Sequence, residues 1–153
     1  MLFVTGDIHG GIQNFIQECL YKNIGLDDYV IIAGDFGGVW FQEDKDKDWY
    51  DEAEAALDDL NEQHWITLFI DGNHENFDRL YNYPVKEWND GKVHVIRPNV
   101  LHLMRGEIFD IEGKSILAMG GAASHDISQG IIDLDEYEMN PDFWDSQYVR
   151  VNN

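Results

Sequence analysis

Three short apolar runs punctuate the first half of the chain, and each closes on a polar turn. Leu2-Phe3-Val4-Thr5 leads into Gly6-Asp7, Tyr29-Val30-Ile31-Ile32-Ala33 into Gly34-Asp35, and Ile66-Thr67-Leu68-Phe69-Ile70 into Asp71-Gly72-Asn73. Runs this short, continuous and rich in β-branched or aromatic residues predict strands buried on both faces. Between them the period turns helical. Ile12, Phe15, Ile16, Cys19 and Leu20 form one apolar stripe, and Trp49, Ala53, Ala56, Leu57 and Leu60 form another. Strand–helix–strand–helix–strand predicts right-handed crossovers and a parallel sheet. A third, shorter helix is expected from Glu75 to about Tyr81.

The second half changes character. Val93–Ile96, Val100–Leu103, Glu107–Ile111 and Ser115–Met119 read as short strands, with Glu112-Gly113 as the tight turn of a hairpin joining the last two. After Gly120-Gly121 the chain becomes polar and loop-like. A single helical turn is expected over Asp142–Ser146, and Tyr148–Val151 opens an element that the sequence leaves unfinished.

Length and composition narrow the class. A chain of 153 residues, 44% hydrophobic and 26% charged, has one domain's length and excludes a disordered or fibrous chain. No apolar run approaches the roughly 18 residues that span a bilayer, so no membrane partner is expected. The N-terminal segment lacks the basic start of a signal peptide. A lone cysteine, Cys19, excludes an internal disulfide and a multi-cysteine zinc site, and it reads as a small core residue. A cytoplasmic location follows. The net charge of −20 repels nucleic acid, so nucleic-acid binding is disfavoured. Ten acids stand against Lys45 and Lys47 between Glu43 and Glu62, which reads as a solvated helix face.

The chemistry lies at the strand ends. Past the carboxyl edge of a parallel sheet, successive loops meet in one crevice. Asp7, His9, Asp35, Asn73 and His74 should therefore converge although far apart in sequence. Carboxylates, imidazoles and an amide suit Mn, Fe, Zn or Ni rather than a soft thiolate site. Gly-Asp and Gly-Asn are common turn pairs, so each motif alone says little. Three of them ending three successive predicted strands say much more.

These motifs, Gly-Asp-Ile-His-Gly (6–10), Gly-Asp-Phe-Gly-Gly (34–38) and Gly-Asn-His-Glu (72–75), resemble those of the calcineurin-like metallophosphoesterases. Gly120-Gly121-Ala122-Ala123-Ser124 after a hairpin resembles a small bacterial or phage-type subgroup. The resemblance implies an α/β sandwich with two sheets face to face and helices outside. It also implies hydrolysis of a phosphoester by a water activated between two divalent metal ions. Asp7, His9 and Asp35 would hold the first metal, Asp35 and Asn73 the second, and His74 would act as the acid. Arg79 would add a phosphate clamp. The family's later lone His and Gly-His-x-His blocks are absent from the sequence. The expectation is therefore a partial sandwich, a single incomplete domain over 1–153, holding the first mixed sheet, its helices and the start of the second. Two metals are expected in the family, and one or none is allowed here. The alternative is a catalytically impaired half-domain serving as a binding or assembly module or a truncated remnant. An unfinished sheet face would favour a homodimer.

Other polar residues have plainer readings. Glu75 reads as an acid complementing a helix N-terminus. His125, in Ser124-His125-Asp126, is a candidate to reach substrate or replace a lost ligand, and Asp126 to orient one. His64, His94 and His102 read as structural, with His102 and Arg105 joining nearby acids in a surface pair.

Overall fold

The three apolar runs form β1 (Leu2–Thr5), β2 (Tyr29–Ala33) and β3 (Ile66–Ile70) in the computed structural model. Residues 1–121 are described in full, together with the backbone at 132–133 and 151–152. The helical stripes form α1 (Ile12–Tyr21) and α2 (Lys47–Asn61), and a single turn, α3 (Phe77–Leu80), follows β3. Then come β4 (Val85–Trp88), β5 (Gly91–Arg97), β6 (Val100–Leu103), β7 (Ile108–Ile111) and β8 (Lys114–Leu117). Six strands make one mixed sheet in the order β1-β2-β3-β6-β5-β4. Pairings from β1 through β3 to β6 are parallel, and those among β6, β5 and β4 are antiparallel.

Alternation along the interior strands sends side chains to opposite faces. Val30, Ile32, Phe69 and Val100 meet the apolar stripes of α1 and α2, where Phe15, Leu57 and Leu60 are buried. Ile31, Leu68, Leu101 and Leu103 meet Phe109, Ile111 and Ala118 from the β7–β8 sheet. The result is helices, a mixed sheet and a small second sheet, as the α/β sandwich reading requires.

Three local expectations shift. β1 is the sheet edge, so it is not buried on both faces, and Val4 is 67% exposed. Leu20 falls at the margin of its stripe and is exposed, and Trp49 leaves the core to stack on Phe41 at 6.0 Å. The strand β4 escapes the apolar pattern because Val85, Lys86 and Glu87 are all exposed. It joins β5 through Asn89 and Asp90, both left-handed (φ 47° and 72°), the pair of values of a type I′ hairpin turn. Glu112 and Gly113 repeat that geometry between β7 and β8 (φ 55° and 71°), at the turn expected there.

The acidic run lies along α2 and the loop before it and is exposed through most of its length. Glu54 is the partly buried exception. It receives Arg79 and Arg97 together, and Arg97 also bonds Asp58 at 2.6 Å, tying α2 to α3 and β5.

The chain divides into two compact units, residues 1–121 and 122–153. In the second, β9 (Ile132–Asp133) and β10 (Val151–Asn152) pair in parallel. The turn expected over Asp142–Ser146, and His125 and Asp126, fall outside the described residues. No helix among the described residues is long and apolar enough to cross a membrane.

Candidate metal centre

Backbone hydrogen bonds stitch the three loop tips together before any side chain is considered. The amides of Ile8 and His9 donate to the Asp35 carbonyl at 3.2 and 2.9 Å, and Gly10 donates to Phe36 at 2.8 Å. Gly34 donates to Ile70 at 3.0 Å, linking the β2 tip to the end of β3. His9 and Asp35 both sit in the left-handed region (φ 46° and 38°), uncommon for residues with a Cβ. Local backbone strain thus falls on two of the four expected ligands, as it often does where a site fixes its side chains. Gly72 has no choice of residue. A Cβ there would overlap the Oδ1 and the amide nitrogen of Asp35.

Three of the five residues expected to converge bring donor atoms together. One ligand atom each from His9, Asp35 and His74 lies within 4.8 Å of the others. Ligands bound about 2.0–2.2 Å from one ion come near that span, so these oxygen and nitrogen donors fit a divalent first-row cation. Nε2 of His9 contacts Oδ2 of Asp7 at 2.6 Å, and both side chains are more than half exposed, open to an incoming ion. The His74 amide donates to Oδ1 of Asp35 at 2.9 Å, locking the third tip onto the second. The His9 and His74 rings meet edge-on at 5.2 Å, and Trp40 flanks His74 at 5.9 Å. Asn73 is half-buried in the same loop, between Gly72 and His74.

Glu75 has a different place from the one expected. Asn76 caps α3 instead, accepting the Arg79 amide at 3.1 Å. Glu75 is buried and turns back to accept the Phe36 amide at 2.7 Å and the Gly37 amide at 3.3 Å. It therefore anchors the loop that presents Asp35. Burial pushes its carboxyl up to about 8, against the two amides, which favour the carboxylate. The Arg79 guanidinium is engaged between helices. It bonds Glu54, the Phe41 carbonyl and the Tyr83 hydroxyl, and lies 4.6 Å from the Tyr50 ring centre.

The sequence also hid a buried polar chain. Asp71, immediately before the third tip, is 1% exposed. Its Oδ1 meets Nε2 of His102 at 3.0 Å, and its Oδ2 accepts both Nε and Nη2 of Arg105. Nδ1 of His102 then meets Nδ1 of His94 at 2.9 Å. The His102–Arg105 surface pair expected from sequence is thus an internal network at its His102 and Asp71 end. Burial raises the pKa of Asp71, but bonds from His102 and Arg105 outweigh it and leave the carboxyl below its ordinary value.

Comparison with curated proteins and with solved structures finds no match. The family model described as calcineurin-like phosphoesterase matches residues 2–149. A match over nearly the whole sequence, with the motif residues of three loop tips gathered at one sheet edge, makes this chain a member of the calcineurin-like phosphoesterase family.

Proposed function

We propose that this chain hydrolyses phosphate esters with two divalent cations held by Asp7, His9, Asp35 and Asn73, and with His74 protonating the leaving group. Metal-dependent phosphoester hydrolysis in general comes with the family. The convergence of His9, Asp35 and His74 is the observation that carries the finer reading. Divalent cations bound there supply Lewis-acid charge stabilisation and an acidified water.

The protein's own residues have separate tasks. Asp35 is bonded by backbone to the first tip and by side chain to the third, which suits the ligand shared between the two cations. Asp7 and His9 would add donors from the first tip and Asn73 from the third. The tether from the His74 amide to Asp35 fixes the backbone that carries the His74 imidazole, and Trp40 limits the space around its ring. A protonated His74 gives its proton to the ester oxygen as the P–O bond breaks, so the alcohol leaves neutral. Without cations, a chain of net charge −20 would repel an anionic ester, so hydrolysis should require them.

Hydrolysis of bis-p-nitrophenyl phosphate and p-nitrophenyl phosphate in Mn²⁺ tests the proposal. Activity should fall to background with a chelator or in Asp35→Asn. In His74→Asn, an alkyl phosphate should lose about 10²–10⁴-fold and the p-nitrophenyl esters less, because p-nitrophenolate leaves without a proton. No hydrolysis with Mn²⁺, Fe²⁺, Zn²⁺ or Ni²⁺, or full activity in Asp35→Asn, would contradict it.

A further inference from the structure

A second polar site lies one strand along from the metal loops. β6 runs parallel to β3 with His102 opposite Phe69, so Met104 and Arg105 leave the same sheet edge as Asp71 to His74. There Tyr81, at the end of α3, and His94, His102, Met104 and Arg105 line a cleft of about 280 Å³.

Two polar atoms on its wall have no hydrogen-bond partner among the described residues. His94 is 4% exposed and uses only Nδ1, toward His102. No side-chain nitrogen or oxygen among the described residues is both sealed off and unpartnered, so Nε2 of His94 is open to an incoming group, and His94 lines this cleft. Arg105 gives Nε and Nη2 to Asp71 and leaves Nη1 without a partner among the described residues, its guanidinium 5.3 Å from the Phe77 ring centre.

The proton order of the chain sets what His94 offers. The Asp71 carboxylate only accepts, so Nε2 of His102 carries a proton. With both imidazoles uncharged, Nδ1 of His102 accepts from Nδ1 of His94, and Nε2 of His94 shows a lone pair. Burial and the neighbouring His102 push the His94 pKa down, which keeps the ring uncharged. Asp71 balances the charge of Arg105, and the remaining lining groups are neutral, so the cleft suits an uncharged ligand. The Tyr81 ring tilted against His94 at 5.7 Å, with Met104 beside it, suits a flat one.

We propose that this cleft binds a neutral planar heterocycle by a donor–acceptor edge of the kind nucleobases carry, its N–H donating to Nε2 of His94 and its carbonyl or ring nitrogen accepting from Nη1 of Arg105. The site stands independently of the phosphoesterase reading, and its test needs neither metal nor turnover.

Histidine side-chain NMR of the full chain, titrated with uridine and adenosine, reads the site directly. Both should shift the His94 and His102 ring signals and leave those of His9 and His74 in place. 3-Methyluridine, whose N3 donor is blocked, should bind about tenfold more weakly than uridine. His94→Phe should lose the response, and Tyr81→Ala, at an exposed position, should weaken it if His94→Phe fails to fold. No His94 shift at about 10 mM uridine or adenosine, equal binding of 3-methyluridine, or shifts confined to His9 and His74 would each overturn the proposal.

Discussion

Two polar clusters sit beside each other at one sheet edge, and they are built on opposite principles. Around Asp7, His9, Asp35 and His74, the side chains are exposed or half-buried, and order comes from backbone bonds and left-handed turns. Around Asp71, His102, His94 and Arg105, three of the four side chains are buried, and order comes from side-chain bonds. The first keeps its donor atoms open while fixing their positions, which is what an incoming cation needs. The second uses most of its polar atoms on one another, leaving Nε2 of His94 and Nη1 of Arg105 toward its cleft, and holds the start of the very loop that carries Asn73 and His74.

Stability measurements can break this contrast. Asp71→Ala removes the buried acceptor of His102 and of the half-exposed Arg105 and leaves the buried His102 N–H unsatisfied, which should cost about 1–3 kcal/mol. Asp7→Ala, at a side chain 58% exposed, should change stability by about 0.5 kcal/mol or less. Urea midpoints in the reverse order would show that the open cluster, not the buried one, holds the fold. Gly72→Ala comes next. Its methyl group must displace Asp35, so it should cost about 1–3 kcal/mol and weaken Mn²⁺ binding at once. Loss of stability with unchanged Mn²⁺ affinity would separate Asp35 from the metal centre.

A smaller, pH-dependent effect sharpens the comparison. The folded-state pKa of His94 lies below its ordinary value, through burial first and the neighbouring His102 second, against the pull of Asp71. The unfolded chain therefore takes up that proton first. Stability from this group is present above about pH 6.5 and declines as the pH falls toward the folded value. Arg105 and Tyr81 also face His94 across the cleft, and the Arg105 guanidinium stays charged in that window. His94→Gln should flatten the slope of the urea midpoint against pH below about 6.5. A slope equal to that of the unsubstituted protein would assign it to other groups.

The sequence carried the open cluster and concealed the buried one. β2 and β3 are interior strands, so nearly every residue is apolar, and the polar turn ending each run stands out. β4 lies at the sheet edge with three exposed residues, leaving no periodic apolar signal to read. His94 and His102 become neighbours only through the antiparallel register of β5 on β6, which pairs them directly. Glu75 is 39 positions from the Phe36 amide it accepts, and nothing in its local sequence points there. The Asp-Gly-Asn-His-Glu segment does place Asp71 and Glu75 on either side of the metal loop. An acid on each flank of the ligand residues was the one available hint that the loop is held from both ends.

Mn²⁺ binding followed by electron paramagnetic resonance, in the unsubstituted chain and in Asp35→Asn, tests the metal centre most directly. An acidic protein condenses cations loosely over its surface, and one lost charge among thirty acids would barely change that background. A built site should instead show saturable, stoichiometric Mn²⁺ that Asp35→Asn loses. Equal binding by the two proteins, weak and without saturation, would contradict the convergence of the three loop tips on a cation.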